Sequence, residues 1–476
     1  MINSRFVRNF ALVILIPVIM ATVTSCKFQS RSAMSSDYSE NDATDVSDGK
    51  SGKGHEGVED TAGSNGEGSE ETSNSEGNGD GNSKNDNAGK NSGEKGESTA
   101  NDEDKTDNAD GTDDKNQSND GDKTGSGNDH DDGNKDVTRF ESKKVKVKAL
   151  YLTGWTVGIE ERLDHFIKLA NETEINAYVI DIKDDDGYVG YESGLPLVQE
   201  YGSWMKKYDV DHVLKKLHDN NIHVIGRLVC FKDPVYSGKF PDQAVRDNVG
   251  GIWKEYSNGH YVSWINPYKK ESWDYLIDIA REALEKGFDE IQFDYVRFPN
   301  GAKKVTDFSR YNKEKYEAIN EFLAYAKKEL PGVVISADVF GIICESPADT
   351  EDIGQYLELI GKDIDYISPM VYPSHYALGQ TVNGVTFAKP DFEPYAVVYN
   401  SLIKAKNRIS AVDGYKADIR AYLQDFTASW LDTGYYKKYG PEEVRQQIQA
   451  VYDAGYEEWI LWNAGNKYSE SALLKE

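Results

Sequence analysis

From residue 145 onward, short apolar runs alternate with amphipathic segments, and this alternation constrains the fold more than any other feature. The runs are VKALYLTGW (147–155), NAYVIDIKD (176–184), IHVIGRLVCF (222–231), EIQFDYVRF (290–298), VVISADVF (333–340), DYISPMVY (365–372), DIRAYLQDF (418–426) and EEWILWNAG (457–465). Between them lie ERLDHFIKLANE, DHVLKKLHDNN, ESWDYLIDIAREALEKG, KYEAINEFLAYAKKEL, DIGQYLELIG, YAVVYNSLIKAKNRI and PEEVRQQIQAVYDAG, with apolar residues recurring every three to four positions. Strand followed by helix, repeated eight times, predicts an α/β chain folded as a (β/α)8 TIM barrel. Connections entering strands are short, as in HDNN before IHVIG and LPG before VVIS. Connections leaving strands are longer. Residues 232–270 contain GIWKEYSNGHYVSWINP, which predicts a hairpin turning at Asn258-Gly259, and PSHYALGQTVNGVTFAKPDFEPY follows the sixth run. Loops at the C-terminal strand ends build the functional face of such barrels, so the asymmetry points there.

The chain before this pattern is of a different kind. Residues 1–26 read as an export signal, with Arg5 and Arg8 ahead of the apolar ALVILIPVIMA, a run short for a bilayer span. It ends in Val23-Thr24-Ser25-Cys26, which resembles a bacterial lipobox and predicts lipidation of Cys26; an uncleaved anchor or an ordinary cleavable signal are the alternatives. Residues 27–140 are Ser, Gly, Asn, Asp, Glu and Lys with almost no large apolar side chains, so a disordered linker is expected. Residues 37–136 carry about −20 of the chain's net charge of −28. The folded domain is therefore expected over 141–476, tethered to the outer face of a cell membrane or secreted. No basic stripe offers itself to phosphates, which argues against a nucleic-acid partner.

Period-two alternation assigns side chains to the barrel lumen. In the fourth run, Gln292 and Asp294 share one face, and Ile291, Phe293 and Tyr295 the other; the helix side should be apolar, so Asp294 points inward near the mouth. Arg297 is expected to return over the mouth and hold a carboxylate. Asp181 and Lys183 fall on one face of the second run, Arg227 lies on the third, and Ser336 and Asp338 on the fifth. Tyr372 and His375 close the sixth, Gln424 and Asp425 the seventh, and Trp462 and Asn463 the eighth. Trp155 ends the first. As mere core, so many charges would each demand a partner, whereas together they suit a polar substrate.

Several chemistries are disfavoured by what the chain lacks. There is no G-x-S-x-G elbow, no H-E-x-x-H, and no Gly-rich phosphate loop after a strand. The DDDG at 184–187 is out of register for a calcium loop and reads as a solvated turn. Cys230 and Cys344 have no clustered His or Cys, so neither a metal nor a cofactor is expected, and buried free thiols are the simpler reading than a disulfide. Carboxylates with aromatics remain, the apparatus of glycoside hydrolysis on a carbohydrate substrate. Trp253, Tyr256, Tyr261 and Trp264 in the hairpin either wall a cleft or, for the two tryptophans, pack on the barrel.

The runs YLTGW, VIDIKDDDGYV, FKDP, DEIQFDYVRFP, SADVFG, IGQYLE, DYISPMVYPSHYA, YLQDFT and LWNA, in this order, resemble a bacterial family called the putative glycosyl hydrolase domain, over about 147–470. The resemblance implies a TIM-barrel glycosidase. By analogy with amylase-type barrels it implies Asp294 as nucleophile and Asp338 as general acid/base, with Asp181 as the rival second carboxylate and Asp425 a distant third. Lys183, Arg227 and Arg297 would keep the anionic group ionised. Ala421-Tyr422 stands where relatives are expected to carry Pro-Trp, a change to an aromatic wall. Asp294 and Asp338 are expected on neighbouring strands, one residue short of the same height, a separation suited to retention of anomeric configuration. Pairing with Asp181 across an intervening strand would suit inversion. A binding or scaffold protein on a catalytically dead barrel is the alternative of a different class.

Overall fold

The computed structural model describes residues 140–475, apart from 258, 303–305 and 307. The signal segment with Cys26, the linker up to residue 139, and the Asn258 position of the hairpin turn lie outside the described residues.

Parallel strands close into a barrel in sequence order: β1 (Lys148–Leu152), β2 (Ala177–Lys183), β3 (His223–Val229), β4 (Glu290–Asp294), β5 (Val334–Phe340), β6 (Tyr366–Met370), β7 in two segments (Asp418–Ile419 and Ala421–Gln424) and β8 (Trp459–Trp462). Pairing of β8 with β1 and of β5 with β6 completes the ring. Helices α1 (Glu160–Glu172), α2 (Val210–Asp219), α3 (Trp273–Lys286), α4 (Lys315–Glu329), α5 (Leu357–Ile360), α6 (Pro394–Ile409) and α7 (Pro441–Asp453) follow the first seven strands. The expected TIM barrel is present. Its apolar stripes face the sheet: Val210, Val213, Leu214 and Leu217 are the buried side of α2, whose first turn is capped by the Asp209 side chain.

Two helical elements depart from the sequence pattern. DIGQYLELIG forms only the single turn α5, because the Asp349 carboxylate accepts from the Ile353 and Gly354 amides and Gly354 turns left-handed at φ 86°. After β8 the described chain has a 3-10 turn, Glu470–Ala472, in place of an eighth helix.

Side chains alternate as the period requires. Ala149, Tyr151, Ala177, Val179, Ile225, Tyr422 and Ile460 fill the lumen, while Leu150, Ile180, Ile291, Phe293 and Ala337 join the larger core beneath the helices. Deep in the lumen, fully buried Arg420 donates to Glu290 at 2.7 Å, and Ser336 donates to the same carboxylate oxygen at 2.7 Å. Burial pushes the Glu290 carboxyl up, but the Arg420 charge, His223 and the Ser336 hydrogen bond together outweigh this and hold it low. Cys230 and Cys344 are free and buried.

The long connections rise at the C-terminal end. After β3 come the helix Pro234–Lys239 and the expected hairpin, Lys254–Ser257 paired with His260–Ser263. A second hairpin, Gln380–Val382 with Val385–Phe387, follows β6.

Candidate active site

At the mouth, one guanidinium organises two carboxylates. Arg227 on β3 donates Nη1 to Asp181 on β2 at 2.6 Å; its Nε and Nη2 donate to Asp294 on β4 at 2.9 and 2.6 Å. All three side chains are buried. The Tyr151 hydroxyl donates to the other Asp181 oxygen at 2.7 Å. Tyr151 stacks on Trp462 with ring centroids 4.0 Å apart, and the Arg227 guanidinium lies 5.4 Å from each ring. Asp294 is fixed from below as well. The chain leaves β4 through Tyr295 at φ 48°, a left-handed conformation costly for a bulky residue, and the Tyr295 amide donates to Asp294 Oδ1 at 2.6 Å.

Asp338 lives differently. The last paired couple of β4 and β5 is Phe293 with Ala337, so Asp294 and Asp338 follow at the same level, closer than the one-residue offset read from the sequence. Asp338 is buried, and its Oδ1 has no hydrogen-bond partner among the described residues. Burial, then the neighbouring Asp294 charge, pushes its carboxyl well above the ordinary range, against a smaller pull from Arg227. The mouth thus holds one carboxylate clamped by a cation and one beside it without such a clamp. For Asp181, burial also outweighs Arg227 and raises the carboxyl.

The remaining sequence candidates divide by place. Lys183 does not share a face with Asp181. A β-bulge between residues 181 and 183 shifts the register, so that Lys183 pairs in the ladder with Leu228 and points away from the lumen. There it is fully buried, 2.9 Å from Asp233 and donating to the Val229 carbonyl. Among the described residues Arg297 holds no carboxylate. Its guanidinium sits among the rings of Phe340, Trp264 and Tyr295 at 4.5, 4.9 and 5.1 Å and donates to the Phe298 carbonyl. The cation that meets Asp294 is Arg227.

Gln424, Asp425 and Asn463 fasten loops. Gln424 is fully buried, accepts from the Ser374 amide and donates to Asp391. Asp425 accepts from the Ser469 amide and hydroxyl at 2.7 and 2.8 Å, and burial raises its carboxyl to about 6. Asn463 donates to the Asp425 carbonyl and accepts from the Gly465 amide. Tyr372 is buried edge-on to His375 and Phe426, and His375 is exposed against Trp430. Trp155 is exposed beyond β1, under the Lys207 ammonium.

In the hairpin, Trp264 is fully buried and Trp253 nearly so, while Tyr256 and Tyr261 are exposed. Tyr422 is a lumen residue rather than a cleft wall: its hydroxyl donates to Gln292 at 2.6 Å. Sequence reasoning missed Tyr151, Asp233 and Lys232, which pairs with Asp185 at 2.8 Å. The parity of YLTGW would have placed Tyr151 in the lumen. Among the described residues no cluster of three His, Cys, Asp or Glu is disposed to hold a metal ion.

A family model described as a putative glycosyl hydrolase domain matches residues 149–468. A crystal structure of a hypothetical protein from Ruminiclostridium thermocellum is 66% identical over 40% of this chain and 97% of its own, with a TM-score of 0.38. The glycoside hydrolase domain of PgaB (BpsB) from Bordetella bronchiseptica is 13% identical, covering 69% of this chain and 96% of that one, TM-score 0.49. The Bacillus megaterium spore cortex-lytic enzyme SleL is 15% identical, covering 69% and 72%, TM-score 0.40. No curated protein matches.

Proposed function

Since the chain belongs to the family described as the putative glycosyl hydrolase domain, we propose that it is a glycoside hydrolase in which Asp294 is the nucleophile and Asp338 the general acid/base. The observation that carries the reading is the asymmetry of the pair: Asp294 is doubly hydrogen-bonded by Arg227, and Asp338, level with it on the next strand, keeps an unpartnered buried oxygen. A carboxylate held by a cation and a buried neighbour whose carboxyl is raised are suited to opposite roles. The ionised one attacks the anomeric carbon and the protonated one gives its proton to the leaving oxygen. Arg227 then acts on Asp294 by fixing its carboxylate at the mouth, level with Asp338. Asp181 is the less suitable partner, because the Arg227 guanidinium fills the space between it and Asp294 that an inverting enzyme reserves for water.

The substrate under this reading is an envelope or environmental polysaccharide. Residues 1–26 export the chain, Cys26 carries the lipid, and the acidic 27–140 segment spaces the 141–476 domain from the membrane. Labelling with a fatty-acid analogue should mark the wild type and not Cys26→Ala; equal labelling would remove the anchor. For the activity, a panel of glycans should be cleaved by the wild type, with turnover falling at least about 10³-fold in Asp294→Asn. Binding without cleavage by the wild type would mark a carbohydrate-binding protein instead.

A further inference from the structure

All six exposed aromatic side chains among the described residues lie on segments that leave strands: Trp155 after β1, Tyr256 and Tyr261 after β3, Phe392 after β6, and Trp430 and Tyr435 after β7. Trp155 and Phe392 sit on short helical turns within those segments, Gly154–Val157 and Pro390–Phe392, and none of the six lies on helices α1 to α7 or on a connection that enters a strand. Random surface exposure would scatter them over both ends of the barrel and its outer wall. Strands β3 and β7 stand opposite one another in an eight-membered ring, so Tyr256 and Tyr261 on one side and Trp430 and Tyr435 on the other form two rims across the mouth.

The β7 rim is built inward. Buried Tyr372 meets His375 and Phe426 at centroid distances of 5.2 and 5.5 Å, and Phe426 meets Trp430 at 5.8 Å, so rings lead from the lumen to a tryptophan that is 47% exposed. On the other rim, Tyr256 and Tyr261 meet edge-on at 5.2 Å and are 60% and 67% exposed. Exposing such surface costs the folded chain apolar burial, and a partner with flat C–H faces recovers it.

Charge narrows the partner. Each cation bordering the carboxylates is already matched: Arg227 by Asp181 and Asp294, Lys183 by Asp233, Lys232 by Asp185, and Lys207 by Asp184. Arg297 is enclosed by three rings. Among the described residues a polyanion would meet these carboxylates with no unmatched cation beside them, Lys389 lying out at the rim over the Phe392 and Tyr435 rings.

We propose that the mouth holds an extended, uncharged sugar chain lying across both rims. The inference rests on the glycosidase reading for its consequence, attack within the chain, and stands apart from it for binding. Affinity electrophoresis of the full chain carrying Asp294→Asn, through gels of hydroxyethyl cellulose, glycol chitin, xylan or polygalacturonate, tests it. At least one of the three uncharged polymers should retard the protein. Adding Trp430→Ala, or Tyr256→Ala with Tyr261→Ala, should each weaken that association about tenfold at unchanged melting temperature. Retardation by none of the polymers, by polygalacturonate alone, or equally in all variants overturns the proposal. With wild type, products of intermediate length support attack within the chain, and release of end sugars alone contradicts it. Retardation without any cleavage supports the two-rim site and sinks only the glycosidase reading.

Discussion

Asp338→Asn is expected to lower turnover about 10²–10⁴-fold while raising the stability of the fold. The first effect follows from losing the proton donor, and it should shrink with an aryl glycoside whose leaving group needs no proton. The second follows from linkage. Burial, and then the Asp294 charge, raise the Asp338 carboxyl above its value in the unfolded chain. As pH climbs past about 4 the unfolded chain gives up this proton while the folded chain keeps it, so folding is progressively disfavoured until the raised value is passed. Asparagine removes that titration. The variant should therefore gain about 1–3 kcal/mol over wild type at pH 7, and less at pH 4. Denaturant unfolding at the two pH values measures it. A variant less stable than wild type at pH 7 would mean that Asp338 has a structural partner.

Arg227→Met should be the most damaging single change at the mouth. It leaves Asp181 and Asp294 buried without their shared cation, which costs about 3–5 kcal/mol in comparable broken pairs. Without the positive charge the Asp338 carboxyl, which Arg227 pulls down, rises further, so the alkaline limb of the pH–rate profile should move to higher pH. Arg227→Lys keeps a charge but not the fork that bonds both carboxylates, and should restore stability more than activity. An unmoved alkaline limb in a folded Arg227 variant would show that Asp338 does not feel this cation.

The barrel was legible in the sequence because its signal is repeated: eight apolar runs with period two, separated by segments of helical period. The same parity placed Asp294, Asp338, Asp181 and Arg227 in the lumen, and the structure brings them together. What failed was local. Lys183 shares parity with Asp181 only if the strand is regular, and a bulge is invisible to a period-two count. Arg297 lies near the mouth as expected, but its neighbours come from three separate segments, and rings took the place of the carboxylate. Gln424, Asp425 and Asn463 are polar residues at strand ends, and in a sequence such a residue looks alike whether it meets a sugar or a loop amide. Here they meet amides, carbonyls and neighbouring side chains. The short α5 was hidden because the Asp349 turn that stops it is made by a side chain upstream of the helical pattern.

The pairing of Asp294 with Asp338 fixes a stereochemical outcome. Their strands are neighbours and the two residues are level. With strands ~4.8 Å apart, the carboxyls fall near the ~5–5.5 Å separation of retaining enzymes rather than the wider inverting gap. Proton NMR of the anomeric signals during the first minutes of hydrolysis, before mutarotation, reads this directly. The first product should carry the anomeric configuration of the bond that was cut. An initially inverted product would contradict the account, remove Asp338 as the partner of Asp294, and turn attention to Asp181.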